Sequence, residues 1–377
     1  MMQGPRTYLD HNASAPLRPA ARAAMLAACD AVGNPSSVHA EGRRARAIIE
    51  TAREEVAALV GAKPSEIVFT SGATEANNMV MAAGWKAISV SAIEHDSVLA
   101  PARALGAKVI ALPASGDGVV ELPAVAEALA HATAGTSRVL LSVMMANNET
   151  GVIQPVAEAA HMAKTLGISL HVDAVQGPGR LPVDFASLGA DTLTFSSHKL
   201  GGPRGVGALV IRDGLSLPAL IKGGGQERRR RGGTENVAGI AGFGAAAAEV
   251  AREHDAMRRT AVLRDKLEAG VIAATPEAVI IGGNAGRIGN TSCIALPGKS
   301  AETLVIRLDM EGIAVSAGAA CMSGKVGANT VITAMGLGEA IARAAVRVSL
   351  GPETKDEDIA AFLAAWQKVA GGAALAA

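Results

Sequence analysis

From about residue 43 to residue 270 the chain alternates segments of helical periodicity with short β-branched and apolar runs. That alternation restricts it to a mainly parallel sheet covered by helices. In the first helical segment, Arg43 to Val60, the residues Ile48, Ile49, Ala52, Val56 and Leu59 recur at helical spacing before Gly61 and Pro64 interrupt them. Seven strands are expected, at Ile67 to Phe69, Ala87 to Val90, Lys108 to Leu112, Val139 to Val143, Ser169 to Val172, Thr192 to Phe195 and Val206 to Ile211. Residues that carry chemistry should collect at the strand ends, where open α/β sheets bind ligands.

A chain of 377 residues is more than one core usually organises, which predicts a large domain with a smaller companion. After the stretch GGGQERRRRGGTEN, an Ala-rich helical pattern runs from about Val237 to Ala269, long enough to bridge two domains, and the boundary is placed near residue 255. The expectation is an α/β fold: a large domain over 15–255 with a mainly parallel seven-stranded sheet flanked by helices. Residues 1–14 and 256–377 would form a smaller α+β domain, with strands near Val279, Ile294, Val315 and Val346 and helices around Glu302 to Met310 and Asp356 to Val369.

Composition narrows the function classes. Aromatics are only 2% of the chain, which argues against base-stacking platforms, and 35 basic residues balance 35 acidic ones, so no global field attracts a polyanion. No nucleic-acid or membrane partner is expected, since no apolar run is long enough for a span and MMQGPRTYLDHN does not read as a secretory leader. The three cysteines, Cys29, Cys293 and Cys321, form no CxxC pair, which suits a reducing, cytoplasmic setting and offers no metal site. GKS at 298–300 resembles the end of a phosphate-binding loop, but Cys293 stands where that loop needs glycine.

The strongest local signal is TFSSHKLGGPRGVGALVI, in which a strand ends, polar residues precede Lys199, and glycines let the backbone turn into the next strand. Upstream, SLHVDAVQ places Asp173 just past a strand, where a carboxylate can keep a pyridine nitrogen protonated. SGATEANN brings backbone N–H groups and the Thr74 hydroxyl to a helix start, a phosphate site. Each has an ordinary alternative: a solvated lysine, a turn or cap aspartate, a plain N-cap.

The segments SGATEANN, EHDSV, NNETG, HVDAVQ, SSHK, RGGTEN and SAGAACMSG occur in the order found in cysteine desulfurases. These are class-V aminotransferases of the aspartate-aminotransferase-like, fold-type I pyridoxal-phosphate enzymes, and the resemblance runs from Tyr8 to Arg347. It implies the pyridoxal-phosphate-dependent transferase fold, pyridoxal 5'-phosphate as cofactor and L-cysteine as substrate. Sulfur would pass to an enzyme persulfide, then to an acceptor or iron–sulfur scaffold protein for cluster assembly or another thio-cofactor.

By the same resemblance Lys199 would bond the cofactor, Asp173 would pair with its ring nitrogen, Gln176 would approach its phenolic oxygen, and His95 would stack on the ring and carry protons. Ala73, Thr74, Ser196 and His198 would hold the phosphate, with Thr234 reaching it across a homodimer interface. Asn148 would lie beside cofactor and substrate. Arg347 would bind the substrate carboxylate, a task that suits the guanidinium fork, although alone it reads as a surface strand arginine.

Cys321 would be the sulfur acceptor. Its setting of Gly, Ala and Ser suits a loop better than a core. The family often has Ser at the position of Ala319 and Ser or Thr at that of Met322. Cys29 and Cys293 sit in apolar helical and strand patterns and read as structural. The run Arg228 to Arg231, beside Gly232 and Thr234, is expected near the cofactor phosphate. A selenocysteine lyase or an aminotransferase of the same fold is the alternative reading, and dependence of cysteine turnover on Cys321 separates them.

Overall fold

The computed structural model describes residues 6–104, 108–132, 138–253, 255–318 and 328–371. Its central sheet has seven strands, in the spatial order Ile67–Thr70, Gly207–Ile211, Thr192–Ser196, Ser169–Asp173, Val139–Met144, Ala87–Ser91, Lys108–Leu112. Only Gly207–Ile211 runs against its neighbours, so the sheet is mainly parallel, as expected.

Alternation along each strand decides which layer it feeds. Ile67 and Phe69 join the larger core with Leu141, Val172 and Phe195, whereas Val68, Ile88, Val90 and Leu140 face the opposite layer and meet Met79 and Val80 of the helix Ala73–Met81. With both faces covered, the central strands read as continuous apolar runs. The helix expected from Arg43 begins at Ala40, because the His39 ring accepts the Gly42 N–H at 3.3 Å and caps it.

The helix expected over Val237 to Ala269 is two helices, Val237–Val250 and Ala256–Ala274. Arg18 donates to Glu249 at 2.7 Å and to Glu253 at 2.6 Å, and its Nε holds the Leu200 carbonyl at 2.8 Å. That anchor fixes the end of the first helix against the large sheet's layer. The second leaves to pack Leu267 and Val271 with Phe362 and Trp366 in a separate core.

This second core lies on a three-stranded antiparallel sheet, Ala345–Ser349, Thr291–Ala295 and Val279–Ile280. The strand expected near Val315 is Ile313–Ala314, paired in parallel with Thr7–Tyr8. The start of the described chain is thus tied to the second core before residues 12–14 cross to the first. Cys29 departs from its expected structural role: Ala21 and Ala28 are the buried positions of the helix Pro19–Cys29, and one residue further on the side chain turns to solvent. Cys293 is buried as expected, and burial pushes its thiol pKa up, which leaves it inert.

Candidate active site

Six strands of the large sheet end on one side, and residues at or just after the ends of five of them line a cavity of about 640 Å³. Ala73 and Thr74 form the first turn of the helix after Ile67–Thr70, and His95 precedes the helix Asp96–Ala104. Asn148 follows Val139–Met144, Asp173 ends Ser169–Asp173 and Gln176 lies just beyond it. Ser196 ends Thr192–Ser196, and the tight turn Ser197–Lys199 presents His198 and Lys199. All of these, with Arg347 of the second sheet, line the cavity.

Local chemistry explains the phosphate end. Gly72 precedes the helix Ala73–Met81 and contributes no capping side chain, so the N–H groups of the first turn are not satisfied by a cap. A Cβ at Gly207 would stand 2.8 Å from the Gly72 backbone, so glycine is required for the antiparallel strand to pass beneath this turn. Arg204 and Gly205 complete that end of the cavity.

Lys199 Nζ donates to the carbonyls of Asn12 and Ala13, the latter at 3.0 Å. Burial first, then the charges of Arg180 and Arg347, lower its pKa to about 7, against a smaller opposing pull from Asp10 and Asp173. An amine poised there supplies both a nucleophile and a base at neutral pH. His198 is lowered to about 4 by burial, then by Lys199, Arg204 and Arg180, so it is a neutral ring. Asp173 accepts from Asn77 Nδ2 at 2.8 Å and from the Val175 N–H at 3.0 Å.

Arg347 donates to Asp10 at 2.8 Å, to Glu149 at 3.0 Å and to the Asn148 carbonyl at 3.3 Å. Burial by itself would lower its pKa, but the two carboxylates outweigh that and raise it. The guanidinium is therefore a fixed cation at the cavity wall.

The class-V aminotransferase family matches residues 7–362. A cysteine desulfurase of Sinorhizobium fredii is 43% identical over 368 residues, covering 93% of each chain. The chain belongs to this family, among its cysteine desulfurases. The solved NifS-like protein of Rickettsia africae matches with a TM-score of 0.91 at 35% identity, over 97% of this chain and 100% of that one. The structure of SspA in complex with cysteine matches with a TM-score of 0.79 at 30% identity, over 93% and 100%.

Enzymes of this family depend on pyridoxal phosphate, and the cavity suits that group. Its donors at the helix start, its buried carboxylate and its amine match phosphate, pyridinium and carbonyl. Two buried oxygens on its walls, Gln176 Oε1 and Glu94 Oε2, have no hydrogen-bond partner among the described residues.

Three sequence expectations are not among these lining residues. Cys321 falls outside the described residues; the residues flanking that segment, Ser316 and Gly318 before it and Thr330 and Val331 after it, line the cavity. Thr234 lines a smaller adjoining hollow of about 140 Å³ that shares Ser71 and Gly205 with the main cavity. The arginine run does not line the main cavity: Arg231 pairs with Glu75 at 2.9 Å, and Arg228 and Arg230 hold the carbonyls of Pro64 and Ser65.

Residue-by-residue reading overlooked Asp10, Asn77, Glu94, Glu149 and Arg180. Asn77 carried a usable signal, since helical spacing sets it on the same face as the buried Val80 and Met81. Glu94 and Glu149 lay inside the motifs EHDSV and NNETG.

Proposed function

We propose that this chain is a pyridoxal-phosphate-dependent cysteine desulfurase that converts L-cysteine to L-alanine and carries the sulfur away as a persulfide on Cys321. The supporting observation is one cavity lined by Lys199, Asp173, His95 and Arg347 and by residues on both sides of the Cys321 segment. The balance is L-cysteine plus the Cys321 thiol giving L-alanine plus the Cys321 persulfide, with no external oxidant.

When bound, pyridoxal phosphate supplies an electron sink for the pair released at the substrate Cα. Ala73, Thr74, Ser196 and His198 would hold its phosphate, Asp173 its ring nitrogen, Gln176 its phenolic oxygen, and His95 would stack on its ring. Arg347 and Asn148 orient the substrate carboxylate, which aims Cα towards Lys199. The Lys199 amine takes the Cα proton, and His95 exchanges protons with the substrate. The Cys321 thiolate attacks the substrate sulfur; the C–S bond breaks and its electron pair stays with the carbon that becomes the alanine methyl.

The domain division at residue 255, a homodimer in which Thr234 reaches the partner's phosphate, a reducing cytoplasmic setting and a sulfur-acceptor or iron–sulfur scaffold partner belong to the same reading. Among the described residues no helix is long and apolar enough to cross a membrane. Mass spectrometry of the loaded enzyme after one turnover, with thiols alkylated, tests the reading. One extra sulfur on the peptide containing Cys321 is expected, and alanine formed without any such peptide would instead indicate a lyase.

A further inference from the structure

Behind Asp173 lies a run of side-chain hydrogen bonds to which the proposed reaction assigns no role. Asn77 is wholly buried, and its Nδ2 donates to Asp173 Oδ2 at 2.8 Å and to Ser97 Oγ at 2.9 Å. Its Oδ1 meets His171 Nε2 at 3.0 Å, and His171 Nδ1 meets Thr192 Oγ1 at 2.9 Å. At the other end, Ser97 approaches His95 Nδ1 twice, with its hydroxyl at 2.9 Å and its backbone N–H at 3.1 Å.

The direction of every bond follows from one charge. Glu94 is buried next to Asp173, and burial first, then the Asp173 charge, raises its pKa well above the ordinary carboxylate range. Asp173 already accepts the Val175 N–H with Oδ1 at 3.0 Å, and its Oδ2, 2.8 Å from the Asn77 amide, is the second acceptor of the same carboxylate. The Asn77 amide must turn its NH₂ that way, because the flipped amide would set its oxygen against a carboxylate.

Oδ1 then faces His171, so that ring carries its proton on Nε2. Burial, against a smaller opposing pull from the Thr192 backbone, lowers the His171 pKa to about 3, which keeps the ring neutral; with its one proton on Nε2, Nδ1 is left to accept from the Thr192 hydroxyl at 2.9 Å. The second hydrogen of Asn77 Nδ2 occupies the Ser97 oxygen, which leaves the Ser97 hydroxyl proton to point at His95. Facing two donors, His95 Nδ1 is an acceptor, and the ring proton sits on Nε2.

We infer that Asn77 is a positioning residue: a single carboxamide aligns Asp173 and holds His95 in the Nε2–H tautomer, so the resting enzyme presents an N–H and not a lone pair from that ring. The consequence for catalysis rests on the desulfurase reading; the bond directions rest on geometry and charge alone. Asn77→Asp replaces the donor by an acceptor. The Ser97 hydroxyl would turn towards position 77, His95 Nδ1 would lose one of its two donors, and Asp173 would meet a like charge.

The experiment is ¹⁵N NMR of the histidine-labelled, cofactor-loaded enzyme, with His95→Gln and His171→Gln as assignment controls. In the wild type both rings should show the Nε2–H pattern with a strongly hydrogen-bonded Nδ1. In Asn77→Asp the His95 Nδ1 resonance should move towards that of a free imidazole nitrogen, and kcat should fall about tenfold or more while KM changes by less than about threefold. Ser97→Ala should reproduce the His95 change and leave the His171 pattern intact, which keeps the inference testable if Asn77→Asp does not fold.

A wild-type His95 protonated on Nδ1 would overturn the inference. So would an Asn77→Asp or Ser97→Ala enzyme that is less heat-stable but has wild-type ¹⁵N patterns. Failure of the wild type to release alanine and sulfide from cysteine would remove the proposed reaction and leave the hydrogen-bond directions standing.

Discussion

The two walls of the cavity are built on opposite principles. Behind Asp173, Asn77, His171, Thr192, Ser97 and His95 form a continuous run of hydrogen bonds drawn from adjacent elements of the large sheet's layers. Around Arg347, one guanidinium faces two carboxylates, Asp10 and Glu149, brought from distant parts of the chain. The first wall is complete before any substrate arrives. In the proposed reaction the second would exchange partners, because an incoming carboxylate would compete with Asp10 and Glu149 for the Arg347 Nη groups, whereas Nε has no partner among the described residues. On the proposed function the walls would divide the work: one preorganised for chemistry, the other adjusting on binding.

Breaking the first wall should cost the most. Asp173→Ala removes the charge that the network serves, and kcat should fall about a hundredfold or more with protein still able to bind cysteine, as steady-state kinetics would read. Arg347→Lys keeps the second wall's charge but loses the fork. KM for cysteine should rise about tenfold with a smaller change in kcat. A kcat loss equal to that of Asp173→Ala would erase the proposed division of labour.

Asp10→Asn removes the more exposed of the two carboxylates that would compete with substrate. KM should drop about twofold to fivefold, an effect limited by solvent screening at this site. A rise in KM would mean that Asp10 orients Arg347 and does not compete with substrate.

The smallest effect concerns pH. Lys199, lowered to about 7, is protonated and unreactive below that pH and free above it. Covalent capture of pyridoxal phosphate, followed by absorbance, should therefore speed up through about pH 7 and level off at higher pH. Asp10 is one of the charges that raise the Lys199 pKa, so Asp10→Asn should move this midpoint lower.

The same contrast explains what could be read from sequence. All seven strands of the large sheet are legible because their apolar runs are local, and Lys199 and Asp173 stand out because each follows such a run. The helix break after Val250 is not legible, since its anchor is Arg18, more than two hundred residues earlier in the chain. Arg180 shows the limit most clearly. Its effect on Lys199 depends on the fold burying two cations near each other, and nothing in QGPGRLPVD announces that. Cys29 shows the reverse error: an apolar neighbourhood in sequence does not say which side of a helix faces solvent.

In the proposed function sulfur leaves cysteine through Cys321. Incubating the pyridoxal-phosphate-loaded enzyme and its Cys321→Ala variant with L-cysteine and a thiol reductant, and quantifying sulfide and alanine in each, tests it directly. Equal amounts of the two products are expected from the wild type and little of either from the variant. Sulfide and alanine released by the variant at the wild-type rate would contradict it.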